Sequence, residues 1–192
     1  MRIAVRGFGA LSISLVVAIS ASAGCGQGDR PPPEREQRAT ATTDASDTPV
    51  AYELPTGAAR RLAAADATRV LERKGRVVAT SEWDVYTAVV LSEWLDHHGV
   101  RLDVPSDLRS VVRRVANEQE LPLLVVSSEH RRYSEALARM RPTAHQLRSF
   151  YERFTGERSA EAGRAMRDWL RVFRRAVEAV DAEHLVVIPV PD

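Results

Sequence analysis

The chain has 192 residues, a formal net charge of +1 and 44% hydrophobic residues, which fits one globular domain with appendages. Its positive and negative charges are interspersed, and Lys74 is the sole lysine among 27 basic residues, so no basic field of the kind nucleic-acid binding needs is present. The single cysteine, Cys25, excludes an intrachain disulfide. At the N-terminus Arg2 and Arg6 precede an apolar run from Gly7 to Ser20 containing Leu11, Ile13, Leu15, Val16, Val17 and Ile19. Small residues Ser22, Ala23 and Gly24 then lead into Cys25. A basic start, a short apolar stretch and a small-residue end are the plan of a secretory signal peptide, expected over 1–24. The run falls short of the ~20 predominantly apolar residues that a spanning helix requires.

The small-small-Cys ending resembles a bacterial lipobox, although Ser22 stands where Leu is usual. That resemblance implies that Cys25 receives a diacylglycerol group and becomes the mature N-terminus. The expected location is therefore the extracytoplasmic face of the cell membrane, with plain secretion and an uncleaved anchor as alternatives. Residues 25–57 include Pro31, Pro32, Pro33 and a Thr/Ala/Asp-rich stretch, with few side chains large enough to pack. Such a segment cannot bury enough surface to offset its ordering entropy and is expected to be a lipid-attached disordered tether.

The folded domain is expected over 58–192. Gly57 to Ala67 reads as helix or frayed lead-in. Two β-capable runs, Thr68 to Arg73 and Arg76 to Ala79, flank Lys74 and Gly75 and suggest a hairpin near 68–79; the alternative is a helix ending at a Gly75 cap. Ser81 to Asp84 has the spacing of a capping box, opening a helix that runs to His98 and stops at Gly99. Leu108, Val111, Val112 and Val115 repeat with helical spacing. Leu121 to Val126 reads as an extended segment or a helix end. Ser127 or Ser128 is placed to cap a helix carrying Tyr133, Ala136, Leu137 and Met140, which ends before Pro142. Thr143 and Gln146 form a second capping box, followed by the stripe Leu147, Phe150, Tyr151 and Phe154 and the terminator Gly156. From Ser159 a last helix carries Met166, Trp169, Leu170, Phe173, Val177 and Val180 inward, and Leu185 to Ile188 closes the chain as a strand. The expected fold is mainly α, with about five helices and a small sheet of two or three strands. That sheet joins the hairpin near 68–79 to the strand near 185–190.

Catalytic patterns are absent. There is no His-Glu-x-x-His, no Gly-x-Ser-x-Gly and no Ser-x-x-Lys. Of the five histidines, the adjacent His97 and His98 sit where a helix C-terminus favours cations, and His130, His145 and His184 lack carboxylates or cysteines at ligand spacing. No metal or cofactor is expected. Trp83, Trp94, Phe150, Tyr151, Phe154 and Trp169 fall on helical stripes and read first as core. The functional reading of the same six is an apolar groove for extended polypeptide.

The order of segments resembles the N-terminal chaperone domain of SurA/PrsA-type extracytoplasmic foldases. That family opens with a hairpin, here Val70 to Ala79 with Lys74-Gly75 in place of Asn-Gly, followed by a polar cap at Ser81 and a long helix. Gly99 to Asp107 and Pro142 to Glu152, with Phe150-Tyr151, stand where the family has its next transition and its aromatic helix. The prolyl-isomerase module that often follows is missing, since one helix separates Gly156 from the last strand. The resemblance implies a non-catalytic, membrane-tethered holdase for unfolded exported polypeptides. The alternative is a lipoprotein adaptor that binds one envelope protein.

Overall fold

The computed structural model describes residues 48–190. The signal region, Cys25 and residues 25–47 of the expected tether lie outside the described residues. Four strands build one antiparallel sheet: β1 (Val50–Pro55), β2 (Arg76–Thr80), β3 (Leu123–Val126) and β4 (His184–Pro189), in the order β2-β1-β4-β3. Seven α-helices accompany it. They are α1 (Thr56–Ala59), α2 (Ala67–Lys74), α3 (Tyr86–His97), α4 (Arg109–Glu118), α5 (Ser134–Arg139), α6 (Ala144–Thr155) and α7 (Ala162–Ala179), with 3-10 turns at Leu62–Ala64 and Ser128–Tyr133. The mainly α expectation is thus corrected to a mixed α/β fold.

The correction has two local causes. The expected hairpin does not form, because Asp66 caps a helix: its Oδ1 accepts from Arg69 N at 3.1 Å. Ala67, Val70 and Leu71 then share one helical face, with Ala67 and Leu71 buried, and the helix ends at Gly75, whose N–H reaches Leu71 O at 2.7 Å. Gly75 is also a packing requirement, since a Cβ there would lie 2.8 Å from the Tyr52 ring. The partner of β2 is instead β1, which falls inside the stretch expected as tether. Ala51 and Leu54 are fully buried, and β1 pairs with β2 on one side and β4 on the other. The C-terminal strand is therefore separated from Arg76–Thr80 by β1 rather than adjacent to it. Its other neighbour is β3, the run left between strand and helix end.

Both sheet faces are covered, and strand alternation shows how. On β4, Val186 and Ile188 enter one core while Leu185 and Val187 enter the other. The first core packs under α3, α5, α6 and α7 and holds Leu91, Leu95, Trp169 and Phe173. The second packs under α1, α2 and α4 and holds Leu54, Leu62, Leu71 and Val115. A four-stranded sheet buried on both sides needs side chains of alternating destination to be apolar throughout, as the Leu-Val-Val-Ile run of β4 is. Across the edge pair, Arg76 of β2 reaches the Glu53 carboxylate of β1.

Most helix boundaries agree with the sequence. Thr143 and Gln146 form their reciprocal capping box, and Gly156 ends α6 at φ 78°. The box expected at Ser81 does not open α3, which begins at Tyr86. Ser81 is buried and turned inward: its hydroxyl donates to Asp168 Oδ2 at 2.9 Å and accepts from Trp83 N at 3.1 Å. Asp84 Oδ1 accepts from Tyr86 N in its place. Likewise α7 starts at Ala162, with Ser159 Oγ accepting from its N–H at 3.2 Å. Among the described residues no helix is long and apolar enough to cross a membrane.

Candidate functional site

The C-terminal half of α3, the first three turns of α6 and the Met140–Pro142 connection border a shallow, open groove of about 1240 Å3. Its aromatic lining consists of Trp94, Phe150 and Phe154, with His97, His98 and His145 beside them. Helical spacing fixes this arrangement. Trp94 and His98 are four apart on α3, and their rings lie 3.9 Å apart at a 30° tilt. Phe150 and Phe154 are four apart on α6 and stack at 5.8 Å and 13°. His97 bridges the two helices, its ring 5.5 Å from Phe150 in an edge arrangement. Met140, Arg141, Pro142, Gln146, Ser149, Glu152 and Arg153 complete the wall.

The six aromatic residues singled out from sequence separate into three groups. Trp94, Phe150 and Phe154 come together at the groove, Phe150 and Phe154 half-buried and Trp94 only 7% exposed, as part of the first core. Trp169 and Tyr151 belong to the core: Trp169 is fully buried on α7, with its Nε1–H donating to Asp84 O at 3.0 Å, and Tyr151 is buried on α6. Trp83 is half-buried against the same core, outside the groove lining. Burial thus places Tyr151 and Trp169 in the core, and Trp83 lies outside the groove. For Trp169 and Tyr151 the cause is that α7 lies across the sheet and α6 packs on α7, so their stripes face inward. Groove residues absent from the six aromatic candidates include Met140, Arg141, His145 and Arg153. Their signal was the capped start of α6, which sets the Pro142 turn beside the end of α3.

His97 and His98 behave as expected of residues at a helix C-terminus. The Nδ1 of each lies 2.7 Å from the carbonyl four residues back, Glu93 and Trp94 respectively. One turn earlier, burial, and then Asp96, push the Glu93 carboxyl above its ordinary range, against the opposing pull of His97. At the other end two guanidinium groups converge on one acceptor. Arg141 Nη1 and Arg174 Nη2 donate to Met140 O at 2.9 and 2.6 Å, and Arg174 Nε also reaches Leu137 O at 2.9 Å. Burial, with Arg141 close by, holds the Arg174 guanidinium below its usual value.

Two polar clusters elsewhere resemble catalytic pairs but are closed into the structure. The backbone N–H of Ser127 donates to His130 Nδ1 at 2.9 Å, so that nitrogen carries no proton, and Nε2–H donates to Asp103 O at 3.1 Å. Ser127 Oγ lies 3.2 Å from Nδ1, and His130 is 2% exposed. Burial pushes the imidazole below its ordinary value despite these hydrogen bonds. The cluster therefore ties the loop after α3 to the start of the 3-10 turn. Ser81 and Asp168 likewise join the end of β2 to α7, with Arg171 Nη2 donating to Asp168 Oδ1 at 2.7 Å and to Thr80 O at 2.9 Å. Among the described residues no three of His, Cys, Asp or Glu gather as metal ligands.

Compared with protein-family models, curated proteins and solved structures, the sequence and fold give no match.

Proposed function

We propose that this chain is a membrane-tethered, extracytoplasmic adaptor that binds one envelope protein by seating a polypeptide segment in the groove between α3 and α6, without covalent chemistry. The observation that carries the reading is the aromatic row of the groove, where Phe150 and Phe154 stack next to His97 and the Trp94–His98 pair. Aromatic rings presented at a concave surface supply apolar contact area at low conformational cost and are the usual anchors of protein recognition. Tethering comes from the reading of Cys25 as a lipidated cysteine.

A single partner is preferred over many unfolded clients because little apolar surface is offered elsewhere. Among the described residues only Val77 and Tyr86 are large hydrophobics in open solvent. A general holdase covers its clients with contiguous apolar patches of several hundred Å2. The holdase remains a second reading, supported by the order of segments: a long helix, the Gly99–Asp107 transition and the capped Phe150-Tyr151 helix follow one another as in the SurA/PrsA-type domain.

Light scattering from thermally unfolded clients in the presence of the full chain separates the two. The adaptor reading predicts no suppression of aggregation at near-stoichiometric ratios, together with a complex of fixed stoichiometry with one envelope protein. Suppression for several unrelated clients would restore the holdase. Neither suppression nor a defined complex would remove polypeptide binding altogether.

A further inference from the structure

The groove has a charge character as well as an apolar one. Its lining carries Arg141, Arg153, His97, His98 and His145, against the single carboxylate of Glu152. That carboxylate already lies 3.9 Å from Arg148 Nε. Glu93, the next carboxyl along α3, lies outside the groove lining. Some exposed arginines elsewhere on the domain face carboxylates, as in Arg60–Asp107, Arg101–Asp103 and Arg171–Asp168, whereas Arg69, Arg73 and Arg113 have none within ion-pair distance among the described residues. No carboxylate among the described residues comes within ion-pair distance of Arg141, Arg153 or Arg174.

These three guanidinium groups are instead held by backbone carbonyls. Arg153 Nε donates to Ser149 O at 3.1 Å, and Arg141 and Arg174 share Met140 O. A guanidinium has five N–H donors in a rigid fork, so one or two bonds to carbonyls orient it and leave donors for another acceptor. The carbonyl bonds thus fix the cations in place without neutralising them. With a net charge of only +1 on the whole chain, two arginines and three histidines beside one carboxylate give the groove lining a locally basic composition.

We infer that the groove selects an acidic polypeptide segment, one in which Asp or Glu side chains pair with Arg141 and Arg153 while neighbouring aromatic or aliphatic side chains lie along Phe150, Phe154 and Trp94. The inference rests on the groove being a polypeptide seat and adds the chemistry of what occupies it. A basic segment would face like charge at both arginines and is selected against.

The test is fluorescence anisotropy of the full chain with labelled peptides in which Phe alternates with Asp, with Ser or with Lys. The Asp peptide is expected to bind about tenfold tighter than the Ser peptide, the scale of one hydrogen bond to a charged group, and the Lys peptide weaker still. Raising salt to about 1 M, where the Debye length is about 3 Å, should narrow the gap. Arg153→Glu, an exposed position whose fold is checked by its thermal midpoint, should bring the Asp peptide down to the Ser peptide or below. Equal binding of all peptides would overturn the acidic selectivity and leave the groove as a polypeptide seat. Binding of none would overturn the seat itself. Preference for phosphatidylglycerol vesicles over the Asp peptide would also overturn the inference and assign the same cations to a lipid surface.

Discussion

A methyl group added to Gly163 would lie 2.0 Å from the Ala144 carbonyl oxygen, so the first turn of α7 touches the first turn of α6 through bare backbone. Gly163→Ala forces these helices apart. The expected cost is about 1–3 kcal/mol, the usual range for overpacking, visible as a lower denaturation midpoint with an unchanged slope. Because α6 carries half of the aromatic row, peptide affinity should fall with it. His130 gives a different signature. Its imidazole is neutral in the fold, held by burial, with Glu129 and Arg132 the charged groups around it. The folded-state pKa lies below the unfolded value of about 6.5, so the unfolded chain takes up the proton first. Stability should be full above about pH 6.5 and fall as pH drops below it, before most carboxylates titrate near 4. His130→Gln should lower stability throughout but flatten its slope between about pH 6.5 and 5. An equal slope in both proteins would show that His130 titrates as it does in water.

At the scale of elements, much of the helical layer was legible because its punctuation is chemical. Thr143 with Gln146, Gly99 and Gly156 mark boundaries through hydrogen bonds and backbone conformations that only a few residue types supply. The sheet was less legible. Val50–Pro55 is six residues with two branched aliphatic side chains, Val50 and Leu54, and it is held in place by pairing with strands far along the chain. The runs Thr68–Arg73 and Arg76–Ala79 around Lys74-Gly75 suggest a hairpin, with a helix ending at Gly75 as the alternative; the helix forms because Asp66 supplies a local cap and Leu71 a helical contact that outweigh β propensity. This can be tested directly: Asp66→Ala should cost about 1 kcal/mol if the segment is a capped helix and almost nothing if it were a hairpin, as read from chemical denaturation. The groove was half legible. Trp94, Phe150 and Phe154 were nominated with three residues that the sheet turns inward or places elsewhere. A helical stripe identifies which residues share a face. The layer stacked on that face decides whether it is core or surface.

For the whole molecule, the position of β1 sets where the folded unit begins. A chain starting at Ala58 lacks the strand that links β2 to β4, leaving β2 with no partner and opening Leu54's place in the second core. Such a chain should lose its cooperative unfolding transition in circular dichroism, whereas one starting at Thr48 should keep it. With both faces of the sheet covered by helices, the groove at α3 and α6 is a surface on which aromatic rings meet the guanidinium groups of Arg141 and Arg153. The most direct test of that role is a photo-crosslinking residue placed at Ser149, in the groove wall, and separately at Arg69, an exposed position on α2, in the full chain within the intact cell envelope. The account predicts one dominant crosslinked protein from Ser149, attached through an acidic segment, and none from Arg69. The same product from both positions, or none from Ser149, would contradict it.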